Sequence, residues 1–162
     1  NKLAIEKYLS LYRNLHKLNC TILRLANPYG ERQRVNSSQG VVPVFLNRAI
    51  KGLPLEVWGD GTVVRDFLYI SDVVDAIILS CVYSGEDLIF NVGSGNGTSL
   101  IQLINIIEDT IKQKVTVIYK NARDFDVPTN ILSIEKADKR LGWKPKVSPS
   151  VGIRNFYRYL SS

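Results

Sequence analysis

Metal-ligand spacing, a membrane-length apolar run and a dense basic cluster are all missing from this 162-residue chain, and each absence removes a class of function. The two cysteines, Cys20 and Cys81, fall at the start of an expected strand and in an expected helix. They form neither a disulfide framework nor a zinc spacing, which fits a reducing, cytoplasmic compartment. No segment nears the roughly 20 apolar residues that span a bilayer, and no signal peptide is visible, so no membrane partner is expected. The formal charge of +6 suits an anionic partner. The Lys and Arg residues are scattered singly, however, without a recognition-helix, zinc-finger or stacking-platform pattern, and no nucleic-acid role is expected. His16, the single histidine, lies near the end of an expected helix, where the helix dipole or solvent accounts for it. The chain contains no credible nucleophile or metal cluster. It does not open on Met, and a stretch before residue 1 is expected.

What is present is enough for one sizeable core, with 45% hydrophobic residues. The organising stretch is Leu55 to Val73. Val57, Trp58, Phe67 and Tyr69 favour a pleat around Gly59-Asp60-Gly61, which predicts a β-hairpin. Ser71 and Asp72 then precede Val73, Val74, Ile77, Ile78, Cys81 and Val82 at helical spacing, as at a capped helix start. Arg65 stands alone in an apolar strand. It needs an anion, and the spacing favours Asp66 or Asp72 ahead of a ligand phosphate.

The flanks alternate helix and strand, which argues α/β with some parallel sheet. Leu3, Ala4, Tyr8, Leu11, Tyr12 and Leu15 share one helical face, and Cys20 to Leu25 reads as a buried parallel strand ended by Asn27-Pro28-Tyr29-Gly30. Residues 31–40 are polar and read as a loop, and Val41 to Ile50 as a helix with a glycine end. Leu88 to Val92 and Val115 to Tyr119 read as strands, and Ser99 with Gln102 as a capping box. The loop Gly93-Ser94-Gly95-Asn96-Gly97 sits between strand and helix, but its third glycine comes one position early for a dinucleotide fingerprint, and no acidic residue ends a second strand about 20 residues on. Arg123 and Asp126 fall in a turn-rich segment, where they either pair with each other or face solvent. A short helix is expected to end at Gly142, with Trp143 in the core, and Val151, Phe156, Tyr159 and Leu160 lie on a closing helix.

Trp58-Gly59-Asp60-Gly61 with Arg65-Asp66-Phe67-Leu68-Tyr69-Ile70-Ser71-Asp72-Val73 resembles a signature of the extended short-chain dehydrogenase/reductases, in particular the NAD-dependent nucleotide-sugar epimerase/dehydratase family. Arg24-Leu25-Ala26-Asn27-Pro28-Tyr29-Gly30 agrees in order and spacing, as does Arg123-Asp124-Phe125-Asp126-Val127-Pro128, followed by Lys136-Ala137 and Leu141-Gly142-Trp143. The resemblance covers nearly the whole chain but only the second half of such a protein. It implies the C-terminal part of an extended Rossmann-type fold, made of the last sheet strands plus a small α/β substrate-binding region. Residues 1–162 are then a single nucleotide-sugar-binding portion, with the NAD-binding half absent.

The same resemblance implies roles. Lys2 is the lysine of a Tyr-x-x-x-Lys pair whose tyrosine lies before residue 1; it holds the cofactor ribose and lowers the tyrosine's pKa. The Ala26 backbone lies near the nicotinamide. Asn27, Arg65 and Arg123 take the sugar diphosphate, Asp126 the nucleotide ribose, and Gly40, Val41, Glu56, Val57 and Trp58 bracket the base. Trp58 either stacks on the base or belongs to the core. Glu31 stands where proline is common in the family. The expected activity is NAD-dependent 4-epimerisation of a nucleotide sugar of the UDP-glucose/UDP-galactose type, in a homodimer when full length. A 4,6-dehydratase, a decarboxylase, a reductase and a non-catalytic sugar-nucleotide-binding module remain alternatives. Without the dinucleotide site, the fragment is expected to have no turnover.

Overall fold

The computed structural model describes residues 1–35 and 40–162. In chain order it contains α1 (Lys2–His16), β1 (Ile22–Leu25), β2 (Asn27–Tyr29), α2 (Val41–Ile50), β3 (Leu55–Trp58), β4 (Val64–Arg65), β5 (Phe67–Tyr69) and α3 (Ile70–Cys81). There follow β6 (Ile89–Val92), β7 (Thr98–Ser99), α4 (Leu100–Ile111), β8 (Val117–Lys120), β9 (Thr129–Asn130), a π-helical turn (Ala137–Leu141) and α5 (Pro149–Ser161). The expected α/β character with parallel pairing holds. β1 runs parallel to β6, β2 to β5 and β3 to β8, while β4 lies between antiparallel β7 and parallel β9.

β5 is the wall between two cores. Strand side chains alternate in direction, so Phe67 and Tyr69 join a cluster with Tyr29, Phe45, Leu103, Ile153 and Phe156. Leu68 points the other way, to Val73, Phe90, Leu141 and Trp143. All three strand residues are buried, which places the ends of β2 and β5 against packed material on both faces. The expected core position of Trp143 is met at 1% exposure, and its indole N–H donates to the Asp72 carbonyl at 3.0 Å. The Ser99–Gln102 capping box is formed in both directions.

Several expectations are corrected. The hairpin does not form, because β3 pairs with β8 while β4 and β5 pair with other strands. The turn between them is real: Gly59 and Gly61 have φ of 77° and 81°, and Asp60 Oδ1 accepts from the Thr62 N–H and hydroxyl. The residues after it then dock on the start of α4, where the Ile101 and Leu100 N–H groups donate to the Gly61 and Val63 carbonyls, and this carries the chain away from β3. α3 begins at Ile70 with no side-chain cap. Ser71 is exposed, and Asp72 faces inward, accepting from the Lys146 and Val147 N–H groups at 3.1 and 3.0 Å. The inner face of α3 is Val73 and Ala76, with Val74, Ile77, Ile78 and Val82 exposed. The closing helix forms as expected, as α5, with Gly152, Ile153 and Phe156 buried.

α1 forms where the periodicity predicts it, yet none of its residues is buried. Leu3, Tyr8 and Leu15 stay 64–65% exposed, because nothing in the described chain packs on their face. Arg24 on β1 grips Glu6 of α1 with two hydrogen bonds, of 2.8 and 2.6 Å. Residues 36–39 of the expected loop lie outside the described residues.

Candidate functional site

Four of the residues singled out in the sequence line one cleft of about 280 Å³: Asn27, Gly40, Val41 and Arg65, together with Tyr29, Pro43 and Phe67. The cleft follows from the strand pairing. Parallel pairing sets Asn27 opposite Phe67, two residues after Arg65. Asn27 is fastened there by its backbone N–H and its Nδ2, both donating to the Asp66 carbonyl at 2.9 Å. Its Oδ1 has no protein partner among the described residues. On the other side of the cleft α2 starts at Gly40, whose φ of 84° turns the chain into the helix. No side chain among the described residues caps this helix start, and uncapped N–H groups at the positive end of a helix favour an anion.

The ion pair expected for Arg65 does not exist. Its Nη1 donates to the carbonyls of Val64 and Val127, at 2.9 and 2.6 Å. Nε and Nη2 have no protein partner among the described residues, and that edge of the guanidinium is the fork that grips an oxyanion with two hydrogen bonds. The reason is next door. Asp66 is 1% exposed and saturated by other donors. Oδ1 accepts from the Ser94 N–H and hydroxyl, both at 2.7 Å, and Oδ2 from the Gly95 and Leu132 N–H groups at 3.3 and 3.2 Å. The glycine-rich loop therefore serves this carboxylate, in keeping with its mismatch to a dinucleotide fingerprint. A Cβ on Gly93 would sit 2.3 Å from Asp66 Oδ2, which is why the loop needs glycine there.

Trp58 and Arg123 form a second group. β3 alternates buried and exposed, so Leu55 and Val57 point into the core while Glu56 and Trp58 face outward. Val57, at 0% exposure, offers a ligand only its backbone, and Trp58, at 40%, is not a core residue. The Arg123 guanidinium stacks over the Trp58 ring at 4.0 Å. Arg123 and Asp126 are joined through backbone only, the Asp126 N–H donating to the Arg123 carbonyl at 3.1 Å, and no ion pair links their side chains. The 121–128 segment connects the two groups. It leaves β8 beside Trp58 and arrives at β9 beside Arg65, with the Gly59 N–H on the Lys120 carbonyl and the Val64 N–H on the Pro128 carbonyl.

Lys2 and Ala26 stand apart from the cleft. Lys2 is exposed in the first turn of α1, and the Ala26 N–H is taken by the Val92 carbonyl at 2.9 Å. Beyond β2, Glu31 accepts a hydrogen bond from the Tyr69 hydroxyl. Burial first, and then this bond to the Glu31 carboxylate, push Tyr69 up to about 12, so its hydroxyl stays a donor at neutral pH. Tyr29, whose hydroxyl faces the Pro149 carbonyl at 3.3 Å, is also raised, chiefly by burial. The Glu31–Tyr69 bridge closes the β2–β5 strand pair beyond its last residues. Sequence reasoning missed this bridge and the Asp66 cradle. The signals were a Tyr at the end of an apolar strand and a Gly-Ser-Gly loop with no phosphate fingerprint. No group of metal-ligating side chains is present among the described residues.

Comparisons with known proteins agree with this architecture. The family model for the NAD dependent epimerase/dehydratase family matches residues 1–93. The chain is 37% identical over 153 residues to dTDP-4-dehydro-6-deoxyglucose reductase of Escherichia coli, covering 94% of this chain and 48% of that protein. It is 34% identical over 162 residues to a putative UDP-glucose 4-epimerase of Methanocaldococcus jannaschii, covering 100% and 52%. The UDP-glucose 4-epimerase of Thermotoga maritima, solved with UDP-glucose, superposes with a TM-score of 0.94 at 37% identity, covering 99% of this chain and 52% of that one. The chain thus spans about half the length of the curated relatives it matches.

Proposed function

The chain belongs to the NAD-dependent epimerase/dehydratase family, and from that premise we propose that it is the nucleotide-sugar-binding portion of an NAD-dependent 4-epimerase of the UDP-glucose/UDP-galactose type. The observation that carries the reading is the cleft: the free guanidinium edge of Arg65, the Asn27 amide and the uncapped start of α2 at Gly40 and Val41 face one space without a carboxylate among its lining residues. The Arg65 edge and the helix start are donors that suit a diphosphate, and the second Nδ2 hydrogen of Asn27 can add to them. Arg123 supplies the second guanidinium, Asp126 takes the nucleotide ribose, and Glu56, the Val57 backbone and Trp58 flank the base. Binding energy from the nucleotide then holds the sugar where it reacts, which lowers the entropic part of the barrier.

Bound NAD would supply the hydride acceptor and donor for C4 of the sugar. In this chain the glycine-rich loop is filled by Asp66 and offers no dinucleotide cradle. In the proposal an NAD-binding half outside residues 1–162 therefore provides that site, Lys2 reaches the cofactor ribose, and Ala26 lies by the nicotinamide. The exposed apolar face of α1 is where that half and a second copy of the protein pack. A reductase is the second reading, favoured by the Escherichia coli relative; product analysis on a full-length protein separates the two.

The test is isothermal titration of UDP-glucose, dTDP-glucose and GDP-mannose into the chain and its Arg65→Ala and Arg123→Ala variants. One nucleotide sugar binds, and each substitution weakens it about tenfold or more. Equal affinity in a folded Arg65→Ala chain defeats the reading. NAD-dependent conversion of UDP-glucose by residues 1–162 alone defeats the division of labour.

A further inference from the structure

Two demands meet on Arg123. The proposed function needs its guanidinium on the diphosphate and the Trp58 ring on the base, yet the guanidinium lies over that ring at 4.0 Å. The ring is open to solvent, at 40% exposure. Arg123 sits in a segment fixed at both ends, by the Gly59 N–H on the Lys120 carbonyl at 2.9 Å and by Arg65 Nη1 on the Val127 carbonyl at 2.6 Å. No carboxylate pairs with Arg123 among the described residues. At an exposed site such a stack is worth roughly a two- to fivefold equilibrium factor, whereas hydrogen bonds from a guanidinium to phosphate are among the strong ones.

We propose that the Trp58–Arg123 stack is the resting form of a two-part recognition element: a nucleoside diphosphate draws Arg123 off the ring onto its phosphates, and the base takes the ring face that the guanidinium leaves. The inference rests on the nucleotide-sugar reading and adds an ordering to it. Phosphate and base recognition help each other, because the same side-chain swing satisfies the first and uncovers the second. A ligand shifts this equilibrium only by its differential affinity for the two forms, so fragments of the nucleotide respond with opposite signs. A nucleoside without phosphates must compete with Arg123 for the ring, while a diphosphate without a base must pull Arg123 away from it.

The experiment titrates inorganic pyrophosphate, uridine and UDP into the full chain and its Arg123→Ala and Trp58→Ala variants, with thermal melts to establish folding. Arg123→Ala weakens UDP and pyrophosphate about tenfold or more and tightens uridine roughly two- to fivefold. Trp58→Ala weakens uridine and UDP and tightens pyrophosphate by the same small factor. Pyrophosphate shifts tryptophan emission in the wild-type chain and not in Arg123→Ala, since Trp143 is buried. Uridine weakened by Arg123→Ala overturns the proposal, because the guanidinium is then part of the base's seat; so does uridine affinity that stays unchanged. A wild-type chain that binds UDP and gives either result loses this inference alone. One that binds none of the three loses the nucleotide-sugar reading as well.

Discussion

Arg65 and Asp66 are neighbours in sequence and opposites in structure. Asp66 is 1% exposed and accepts from Ser94, Gly95 and Leu132. Arg65 turns into a cleft and rests on two carbonyls, with one edge of its fork unengaged. Charge complementarity alone would have paired them. The difference teaches that a buried carboxylate surrounded by backbone donors needs no cation, and that satisfying it this way leaves the adjacent cation for a ligand. The Asp66 half is scaffold, and in the proposed function the Arg65 half is the site.

Breaking the scaffold half has the largest expected effect. Asp66→Ala takes the acceptor from the buried Ser94 N–H and hydroxyl and from the Gly95 and Leu132 N–H groups, and urea unfolding should register a loss of about 3 kcal/mol or more. Arg65→Ala should stay within about 1 kcal/mol in the same assay. Gly93→Ala comes next: its Cβ would meet Asp66 Oδ2 at 2.3 Å, and displacing that carboxylate should cost about 1–3 kcal/mol. Ser99→Ala removes the cap of α4 on the strand beside β4 and should cost about 1 kcal/mol, serving as a scale for the others.

The narrowest effect is on pH dependence near the cleft, since it is seen only at alkaline pH. The folded pKa of Tyr69 lies above its ordinary value of 10.0, at about 12. Its contribution to stability is therefore complete below pH 10 and is lost as pH rises through 12, because the unfolded chain releases its proton first. Melts between pH 9 and 12 should show a shallower decline in Tyr69→Phe than in wild type, with Tyr29, also raised, supplying part of the remaining slope.

The helices, most strands and the capping box were legible because periodicity and cap chemistry are local. The hairpin at Gly59-Asp60-Gly61 was misread for the same reason. Its turn geometry is local and correct, but the partners of β3 and β5 come from β8 and β2, which no short window contains. α1 was legible as a helix and not as a buried one, since burial depends on what packs against it. The cleft residues were named from motif resemblance, whereas the cause of their exposure, a carboxylate satisfied from residues 28 and 66 positions away, had no sequence signature. Trp58 was left open between core and site, and strand alternation places it outward.

The most direct measurement of the central claim is UDP-glucose affinity in wild-type, Arg65→Lys and Arg65→Ala chains, with the urea midpoint recorded for each. The account predicts affinity falling in that order, by about tenfold or more for Ala, at a nearly constant midpoint, since Lys keeps the charge and loses the fork. Affinity that is unchanged in Arg65→Ala, or that falls only in step with the midpoint, contradicts it.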